Sequence, residues 1–403
     1  MGKIIYIGVR IMCNNKLKSS DVFRPCNFPE HTYITRESKD GIDYEQRFKL
    51  ALNISGTLIS IIGASKMGKT VLCEKVIPLD RQVNVSGADF SNGEDFWSVI
   101  AQKVGLPLEG TITQSKQISN TEQHSKTETL ILTKDRVIEY FVDNNKVLIL
   151  DDFHYASEEA QKNIANHLKD AIRRSFRAII ISLPHRADAP IRKNVDLVGR
   201  LSLIDIEIWK LTELKEIAIK GFKQLEIVIS EDISNDIAVE SLTSPQLMQY
   251  ICLSICTLLN TDNGETKEIT SDILNKAYKF TTSNLDYADV VTLISRGPLS
   301  KGKKRSMYKT KFGDEMDLYK LVVKSLAENP PLMGLTIDDI RDRVNNIIGD
   351  NENKPDRQKI KNTVTQIQKL ITDRDDIYKV LEWKDEMIYI IDPLFLFYLR
   401  WGR

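Results

Sequence analysis

In the first half of the chain, runs of consecutive apolar residues alternate with apolar residues at helical spacing. Such runs are typical of strands buried on both faces, and the amphipathic stretches between them predict helices covering a parallel sheet. The predicted strands are Thr57–Ile62, Gln82–Val85, Lys146–Leu150 and Arg177–Ser182. The predicted helices are Gly41–Leu52, Glu94–Val104, Lys134–Asn144 and Glu158–Ser175. This half of the chain is therefore predicted to have an α/β fold.

The second half of the chain has a different pattern. From Thr212 to about Leu285 the apolar spacing is only helical. After residue 316, three helices and two short strands are predicted, an order typical of a winged helix. These elements are Asp317–Glu328, a helix capped by Thr336 and Asp339 that runs through Ile348, a helix after Pro355, and strands near Tyr378–Glu382 and Met387–Ile391.

Two polar segments interrupt these patterns. Residues 109–129 are rich in Ser, Thr and Gln and contain no aromatic residue, so they are predicted to form a mobile surface loop. Residues 296–311 carry seven Lys or Arg and no acidic residue, which is typical of a solvated linker or an exposed basic loop.

Composition excludes some classes of protein. The 56 basic and 56 acidic side chains give a net charge of zero, which argues against a protein that coats nucleic acid. No run of 18 apolar residues exists, so we expect no membrane span, and the N-terminus is interpreted as a strand or arm instead of a signal peptide. The five cysteines are scattered and predict free thiols in a cytoplasmic protein, with a zinc site at Cys252 and Cys256 as the weaker alternative.

The strongest chemical signal follows the first predicted strand. Residues Gly63, Ala64, Ser65, Lys66, Met67, Gly68, Lys69 and Thr70 match the phosphate-loop pattern G-x-x-x-x-G-K-[ST], and Val71 opens the next helix. Glycines let the backbone N–H groups point at a polyphosphate, and the helix N-terminus adds a positive field there. Lys69 would hold the β- and γ-phosphates, and Thr70 would bind Mg²⁺. The sequence therefore predicts ATP and Mg²⁺ as cofactors.

Polar residues follow two other predicted strands. Asp151 and Asp152 come directly after an apolar run, so Asp151 is predicted on the metal side and Asp152 beside the attacking water. Asp is shorter than Glu at this second position, which suggests slow hydrolysis. Ser182 ends the next strand and would either sense the γ-phosphate or satisfy local backbone. His154 and His185 follow strand ends, where such sheets bind ligands, and each is either a contact residue or structural.

With the phosphate loop, the segments Leu150–His154 (LDDFH) and Ile181–Arg186 (ISLPHR) give the chain a resemblance to a known group. The chain resembles the AAA+ ATPases, in the archaeal-type, initiator-like branch that grades into the STAND signalling ATPases. The resemblance covers about residues 30–403. It implies a parallel-sheet P-loop core, an all-α lid and a C-terminal winged helix.

The resemblance also implies roles for single residues. Arg36 lies in Tyr33–Glu37 (YITRE), where the group holds adenine, and Pro245 lies in a segment like the Gly-x-Pro element of STAND lids, with Ser in place of Gly. Arg200 stands at the place of the arginine finger, with Arg186 and Arg192 as alternatives. The chain departs from the group because no second sensor arginine follows Pro245 and no appended effector domain is evident.

These observations predict five segments. They are an N-terminal arm with the adenine-side segment (1–40), a P-loop ATPase core (41–208), a helical lid (209–290), a basic linker (291–315) and a winged-helix domain (316–403).

Two functions remain open from the sequence. The first is an ATP-dependent switch that acts through self-assembly or partner proteins, and the resemblance suggests prokaryotic defence or stress signalling. The second is a DNA-associated ATPase of initiator or transposition-regulator type, which would use the winged helix and residues 296–311. A scaffold that binds nucleotide without hydrolysing it is a third possibility.

Overall fold

The structure, a computed structural model, describes most of the chain. The described residues are 17–90, 93–107, 109–119, 122–131, 134–184, 197, 199–263, 268–299, 305–350, 352–374 and 379–402. The N-terminal segment before residue 17, together with His185, Arg186 and Arg192, lies outside these residues, so the predictions made for them are not addressed.

The first half of the chain is an α/β unit, as predicted. Its strands are β1 (Leu58–Ile62), β2 (Gln82–Ser86), β3 (Glu109–Ser119), β4 (Glu122–Ile131), β5 (Val147–Asp151), β6 (Arg177–Ser182) and β7 (Leu201–Asp205). Its helices are α1 (Ser19–Val22), α2 (Tyr44–Asn53), α3 (Lys69–Val76), α4 (Phe96–Lys103), α5 (Lys134–Asp143) and α6 (Glu158–Ile172).

Five strands form one parallel sheet in the order β2-β5-β6-β1-β7. All five residues of β1 are buried because helices cover both faces of the sheet, which explains its uninterrupted apolar sequence. The predicted parallel sheet is confirmed. The sequence missed β7, an edge strand whose burial is only partial and whose apolar residues alternate with Ser202 and Asp205.

The prediction of a surface loop over residues 109–129 is wrong. The backbone of this segment belongs to β3 and β4, which pair as an antiparallel hairpin from Glu109–Ile131 to Ser119–Glu122. β-Branched residues recur in both halves of the segment and favour an extended backbone. A polar composition alone does not distinguish a hairpin from a loop.

The second half of the chain consists mainly of helices. A first group is α7 (Leu211–Gln224), α8 (Glu231–Glu240), α9 (Pro245–Leu259) and α10 (Ser271–Thr282). The remaining elements are α11 (Ala288–Arg296), β8 (Met307–Lys309), β9 (Glu315–Asp317), α12 (Leu318–Leu326), β10 (Gly334–Thr336), α13 (Ile337–Ile347), α14 (Arg357–Thr372), β11 (Leu381–Lys384), β12 (Met387–Ile390) and α15 (Pro393–Trp401). The segment predicted as a basic linker (291–315) thus contains the end of α11, the strand β8 and the first residue of β9.

The C-terminal elements form the predicted winged helix. Helices α12, α13 and α14 pack beside a three-stranded antiparallel sheet in the order β10-β12-β11. The cap of α13 is the predicted one, because Thr336 Oγ1 accepts the backbone N–H of Asp339 at 3.1 Å. The apolar face of α14 is buried.

The lid and the winged helix share one hydrophobic core. A single cluster of buried side chains runs from Val22 and Phe23 in the arm, through Leu247 in α9, to Phe397 in α15. The five-stranded sheet instead carries its own apolar cluster on each face. The arm, the lid and the winged helix are therefore packed as one unit beside the sheet.

Candidate functional site

The phosphate loop connects the end of β1 to the start of α3. Gly68 is the residue before α3 and has φ of 88°, a left-handed conformation that glycine adopts without strain. Gly63 packs against Ile206, the residue that follows β7. An added Cβ on Gly63 would stand 3.0 Å from both the Cβ and the carbonyl oxygen of Ile206. The two glycines of the motif thus meet two different requirements, one of backbone conformation and one of space.

Lys69 folds back over this loop. Its Nζ donates to the carbonyl oxygens of Gly63 at 2.9 Å and Ala64 at 2.8 Å. Burial lowers the pKa of Lys69 to about 8, although the carboxylates of Asp151 and Asp152 act in the opposite direction. A phosphate at this position would supply the negative charge that a buried ammonium group requires.

Asp151, the last residue of β5, and Asp152, which follows it, lie at the same edge of the sheet as the phosphate loop. Thr70 Oγ1 donates to Asp151 Oδ2 at 2.7 Å, across a sequence separation of 81 residues. The backbone N–H of Asp152 donates to the other oxygen of Asp151 at 2.8 Å. A hydroxyl and a carboxylate side by side are the oxygen donors that Mg²⁺ takes together with nucleotide phosphates, so these residues fit such an ion.

The backbone of Asp152 packs closely against a glycine. Asp152 has φ of 50°, which is unusual for a residue with a side chain. An added Cβ on Gly87, just after β2, would stand 2.4 Å from the carbonyl oxygen of Asp152. The chain after β2 can pack on the backbone of Asp152 only because Gly87 has no side chain.

A cavity of about 370 Å³ opens beside these residues. One wall is the phosphate loop with the start of α3, a second is the arm from Arg24 to Arg36, and a third is the start of α9. Pro245 is the first residue of α9 and lies in this third wall, and Lys379 from the winged helix also reaches the cavity. The volume is in the range of small-molecule sites.

Tyr33 and Gln249 also line the cavity. Tyr33 begins the segment Tyr33–Glu37 that the resemblance places beside the adenine, whereas Gln249 was not predicted as a site residue. Tyr33 stacks on Phe28 at 5.6 Å and donates its hydroxyl to Glu45 at 2.5 Å. Gln249 Nε2 donates to Thr32 at 2.6 Å, joining α9 to the arm. No local sequence signal marks Gln249, because its place depends on how the arm packs on the lid.

Arg36 lies in the cavity wall, but its guanidinium is committed to protein contacts. Nε donates to Glu213 at 3.0 Å, and Nη2 donates to the carbonyl oxygens of Glu207 and Ile208 at 3.0 and 3.1 Å. The guanidinium also stacks over Trp209, 4.4 Å from the ring centroid. These contacts attach the arm to the connection between β7 and α7.

The remaining predicted residues occupy different places. Ser182 ends β6 with its hydroxyl buried and without a hydrogen-bond partner among the described residues. His154 lines the cavity beside Tyr155. Arg200 is not brought to the cavity, because it precedes β7 and accepts the N–H of Leu58 at the start of β1, at the opposite end of the sheet from the phosphate loop.

The described residues contain no cluster of three or more His, Cys, Asp or Glu suited to a metal ion, and the cysteines among them are free thiols. Within the described part of the chain, no helix combines the length and the apolar character that crossing a membrane requires.

Comparison with known proteins identifies the class of the first half. Residues 54–188 match a family model described as an AAA domain. The chain therefore contains a P-loop ATPase domain of the AAA type. No curated protein sequence matches the chain.

Several solved structures resemble the chain at low identity. Cdc6p from Pyrobaculum aerophilum is 14% identical, with 93% of this chain and 94% of that chain covered and a TM-score of 0.45. The Walker-type ATPase PABY2304 of Pyrococcus abyssi is 12% identical, with 91% and 98% covered and a TM-score of 0.48. A RuvB variant from Thermotoga maritima is 11% identical, with 88% and 92% covered and a TM-score of 0.40. At these levels the functions of those proteins do not transfer to this chain.

Proposed function

We propose that the chain is a switch of the AAA+/STAND type that binds ATP and hydrolyses it slowly. The observation that carries the proposal is the hydrogen bond from Thr70 to Asp151 beside the phosphate loop. It brings the nucleotide-binding and acidic segments together at one end of the sheet. The cavity there has walls from the ATPase core, the arm and the lid.

In this proposal each residue has a separate task. The backbone of residues 63–71 would hold the phosphates, and Lys69 would leave its carbonyl partners for the β- and γ-phosphate oxygens. Thr70 and Asp151 would hold Mg²⁺, which supplies charge neutralisation of the phosphates when bound. Asp152 would orient or deprotonate the attacking water, and Ser182 would offer its buried hydroxyl near the γ-phosphate. Arg36 would contribute to nucleotide binding indirectly, by holding the arm that forms one wall of the cavity. Pro245 would form part of the wall that the lid contributes.

Arg200 would act only on a neighbouring copy. It precedes the edge strand β7 and lies far from its own phosphate loop, so a same-chain contact with the nucleotide is not supported. Self-assembly with one protomer's Arg200 at the next protomer's phosphates would use this position, since a guanidinium stays charged at all relevant pH values.

Nucleotide binding with two variants tests the proposal. Lys69→Ala should weaken ATP binding strongly because it removes a charge-assisted phosphate contact, whereas Asp152→Asn should keep ATP binding and lower phosphate release. Lys49→Ala, an exposed lysine on α2, is the matched control and should change neither. Unaltered ATP affinity in Lys69→Ala would contradict the site. Binding without any phosphate release by the parent protein would favour a non-hydrolysing scaffold.

DNA binding is the second candidate, and one observation favours it. The outer face of α14 is exposed, with Lys359 and Lys369 on it. Two other cations of this helix are already neutralised, since Arg357 and Lys361 both pair with Glu386 at 2.7 and 2.6 Å. DNA affinity that falls steeply with salt would support this function, and its absence at low salt would leave the protein-directed switch.

A further inference from the structure

The indole of Trp209 reaches from the lid connection to the phosphate loop. Trp209 lies between β7 and α7, and its Nε1 donates to the carbonyl oxygen of Met67 at 3.1 Å. Met67 is the residue before Gly68, and its side chain is buried under the loop. A side chain of the lid connection is therefore attached to the backbone of the phosphate loop itself.

This contact fixes the direction of a backbone N–H group that can donate a hydrogen bond to a phosphate. A trans peptide unit is planar, so its C=O and N–H point in opposite directions. When Trp209 holds the C=O of Met67 on one side, the N–H of Gly68 in the same peptide unit must point to the other side. The glycine at position 68 makes this arrangement possible, because it has φ of 88°. Rotation of this peptide would turn a carbonyl oxygen toward the phosphates.

Trp209 is itself held by the arm and the lid. Arg36 stacks over its ring and bonds to the carbonyl oxygens of Glu207 and Ile208, the two residues before it. The same guanidinium pairs with Glu213 in the first turn of α7, and this ion pair is largely buried. The position of the indole therefore depends on how the arm and the lid sit against the core.

From these contacts we infer that Trp209 is a positioning residue of the phosphate loop. It orients the N–H of Gly68 toward the position of a polyphosphate. Because Trp209 is held by contacts with the arm and the lid, this orientation depends on where the lid lies. The inference rests on the proposed nucleotide function. It adds a regulatory link that runs through the Met67 carbonyl, the Trp209 indole, the Arg36 guanidinium and the Glu213 carboxylate.

Trp209→Phe tests the inference because it keeps an aromatic ring for Arg36 and removes the N–H donor, together with one ring of the indole. Binding of tripolyphosphate and of ATP should weaken about 3-fold to 10-fold, the range expected for one hydrogen bond. Trp97→Phe is the matched control. It also removes an indole N–H hydrogen bond, to His167 at 3.2 Å, but on the other face of the sheet, so affinity should not change.

Two further measurements distinguish a positioning role of Trp209 from a general loss of structure in the variant. Tripolyphosphate should alter the tryptophan fluorescence of the parent and of Trp97→Phe but not that of Trp209→Phe. Arg36→Lys should weaken tripolyphosphate binding in the same direction, because it removes the stacked plane and the link to the carbonyl oxygens. Adenosine, which has no phosphate, should bind the parent and Trp209→Phe equally.

The outcomes distinguish this inference from the proposed function. If the parent binds neither ATP nor tripolyphosphate, the proposed function fails. If the parent binds both and Trp209→Phe binds them equally well, only the positioning role of Trp209 is overturned. Equal weakening in Trp97→Phe and Trp209→Phe would also overturn it, since the effect would then follow from loss of any buried indole bond.

Discussion

At the scale of single residues, the pKa of Lys69 makes a pH dependence testable. Burial lowers it from 10.5 to about 8, so the folded protein releases this proton at a lower pH than the unfolded chain does. The unfolded state therefore binds more protons between about pH 8 and 10.5, and in that window this group makes stability rise with pH. The affinity for phosphate has the opposite pH dependence and falls as the pH rises, because binding requires the charged ammonium group of Lys69.

We expect the affinity for ATP to be highest below about pH 8 and to fall as the pH rises above it. Binding near pH 8 should take up a proton, because the phosphates raise the pKa of Lys69. Calorimetry in two buffers with different ionisation heats measures that uptake. An affinity that is constant from pH 7 to 9.5, with no proton uptake, would show that Lys69 stays charged without nucleotide.

The sequence could predict the parts of the site that are contiguous or that follow from sheet geometry. The phosphate loop is one uninterrupted motif, and Asp151 was expected near Thr70 because the carboxyl ends of parallel strands lie at one edge. Trp209 could not be predicted in the same way. Its contact with Met67 joins residues 142 positions apart and depends on where the lid connection crosses the loop.

At the scale of elements, the arm packs on the lid through a glycine in the middle of a helix. An added Cβ on Gly221 in α7 would stand 2.2 Å from the ring of Phe23, a side chain with no exposed surface. Phe23 also packs edge-on against Phe222 at 5.1 Å. Replacing Gly221 therefore changes, through Phe23 and the arm, one wall of the cavity beside the phosphate loop.

We expect Gly221→Ala to destabilise the protein and to weaken ATP binding. Helix propensity alone would favour Ala by about 1 kcal/mol. The overlap with Phe23 should outweigh this gain, because overpacking costs about 1–3 kcal/mol. Chemical unfolding and trypsin cleavage at the exposed Lys18, which is followed by Ser19, would measure the effect. Combining Phe23→Leu with Gly221→Ala should reduce the loss of stability. If Gly221→Ala alone were more stable than the parent, the arm would have to move aside at little cost.

Element prediction was most direct where burial is continuous. The apolar runs that became β1, β5 and β6 lie inside the sheet and are buried almost throughout. The shorter run that became β2 was also predicted, although β2 is an edge strand with an exposed residue at its centre. The edge strand β7 and the hairpin β3–β4 have mixed sequences, which resemble loops when pairing partners are unknown. The third strand of the winged helix, β10, is only three residues long and was also missed.

At the scale of the whole molecule, the lid and the winged helix are joined by a buried ion pair. Arg400 in α15 bonds to both carboxylate oxygens of Glu240 in α8, at 3.0 and 2.6 Å. The indole of Trp401 donates to the same carboxylate at 2.7 Å. Arg400 further donates to the carbonyl oxygen of Ala327 at 2.7 Å. A nucleotide that shifted the lid would therefore carry the winged helix with it.

This joint predicts a large loss of stability in Glu240→Ala. The side chains of Arg400 and Glu240 are only 7% and 13% exposed, so the variant would leave a buried guanidinium without its carboxylate and an indole N–H without its acceptor. Removing one member of a buried pair costs about 3–5 kcal/mol. Asp272→Ala is the matched control, because its pair with Lys276 is exposed on α10 and should contribute less than about 1 kcal/mol.

Chemical unfolding would measure both losses, followed by the fluorescence of Trp383 and Trp401 in a parent whose other two tryptophans, Trp97 and Trp209, are replaced by Phe. Because the lid and the winged helix share one core, the parent should show a single transition for these two indoles and for the helical signal of the lid. In Glu240→Ala that transition should move to lower denaturant and stay single. Two separate transitions in the parent, or equal small losses in both variants, would mean that the winged helix can leave the lid. In that case, nucleotide at the phosphate loop would have to act on the lid alone.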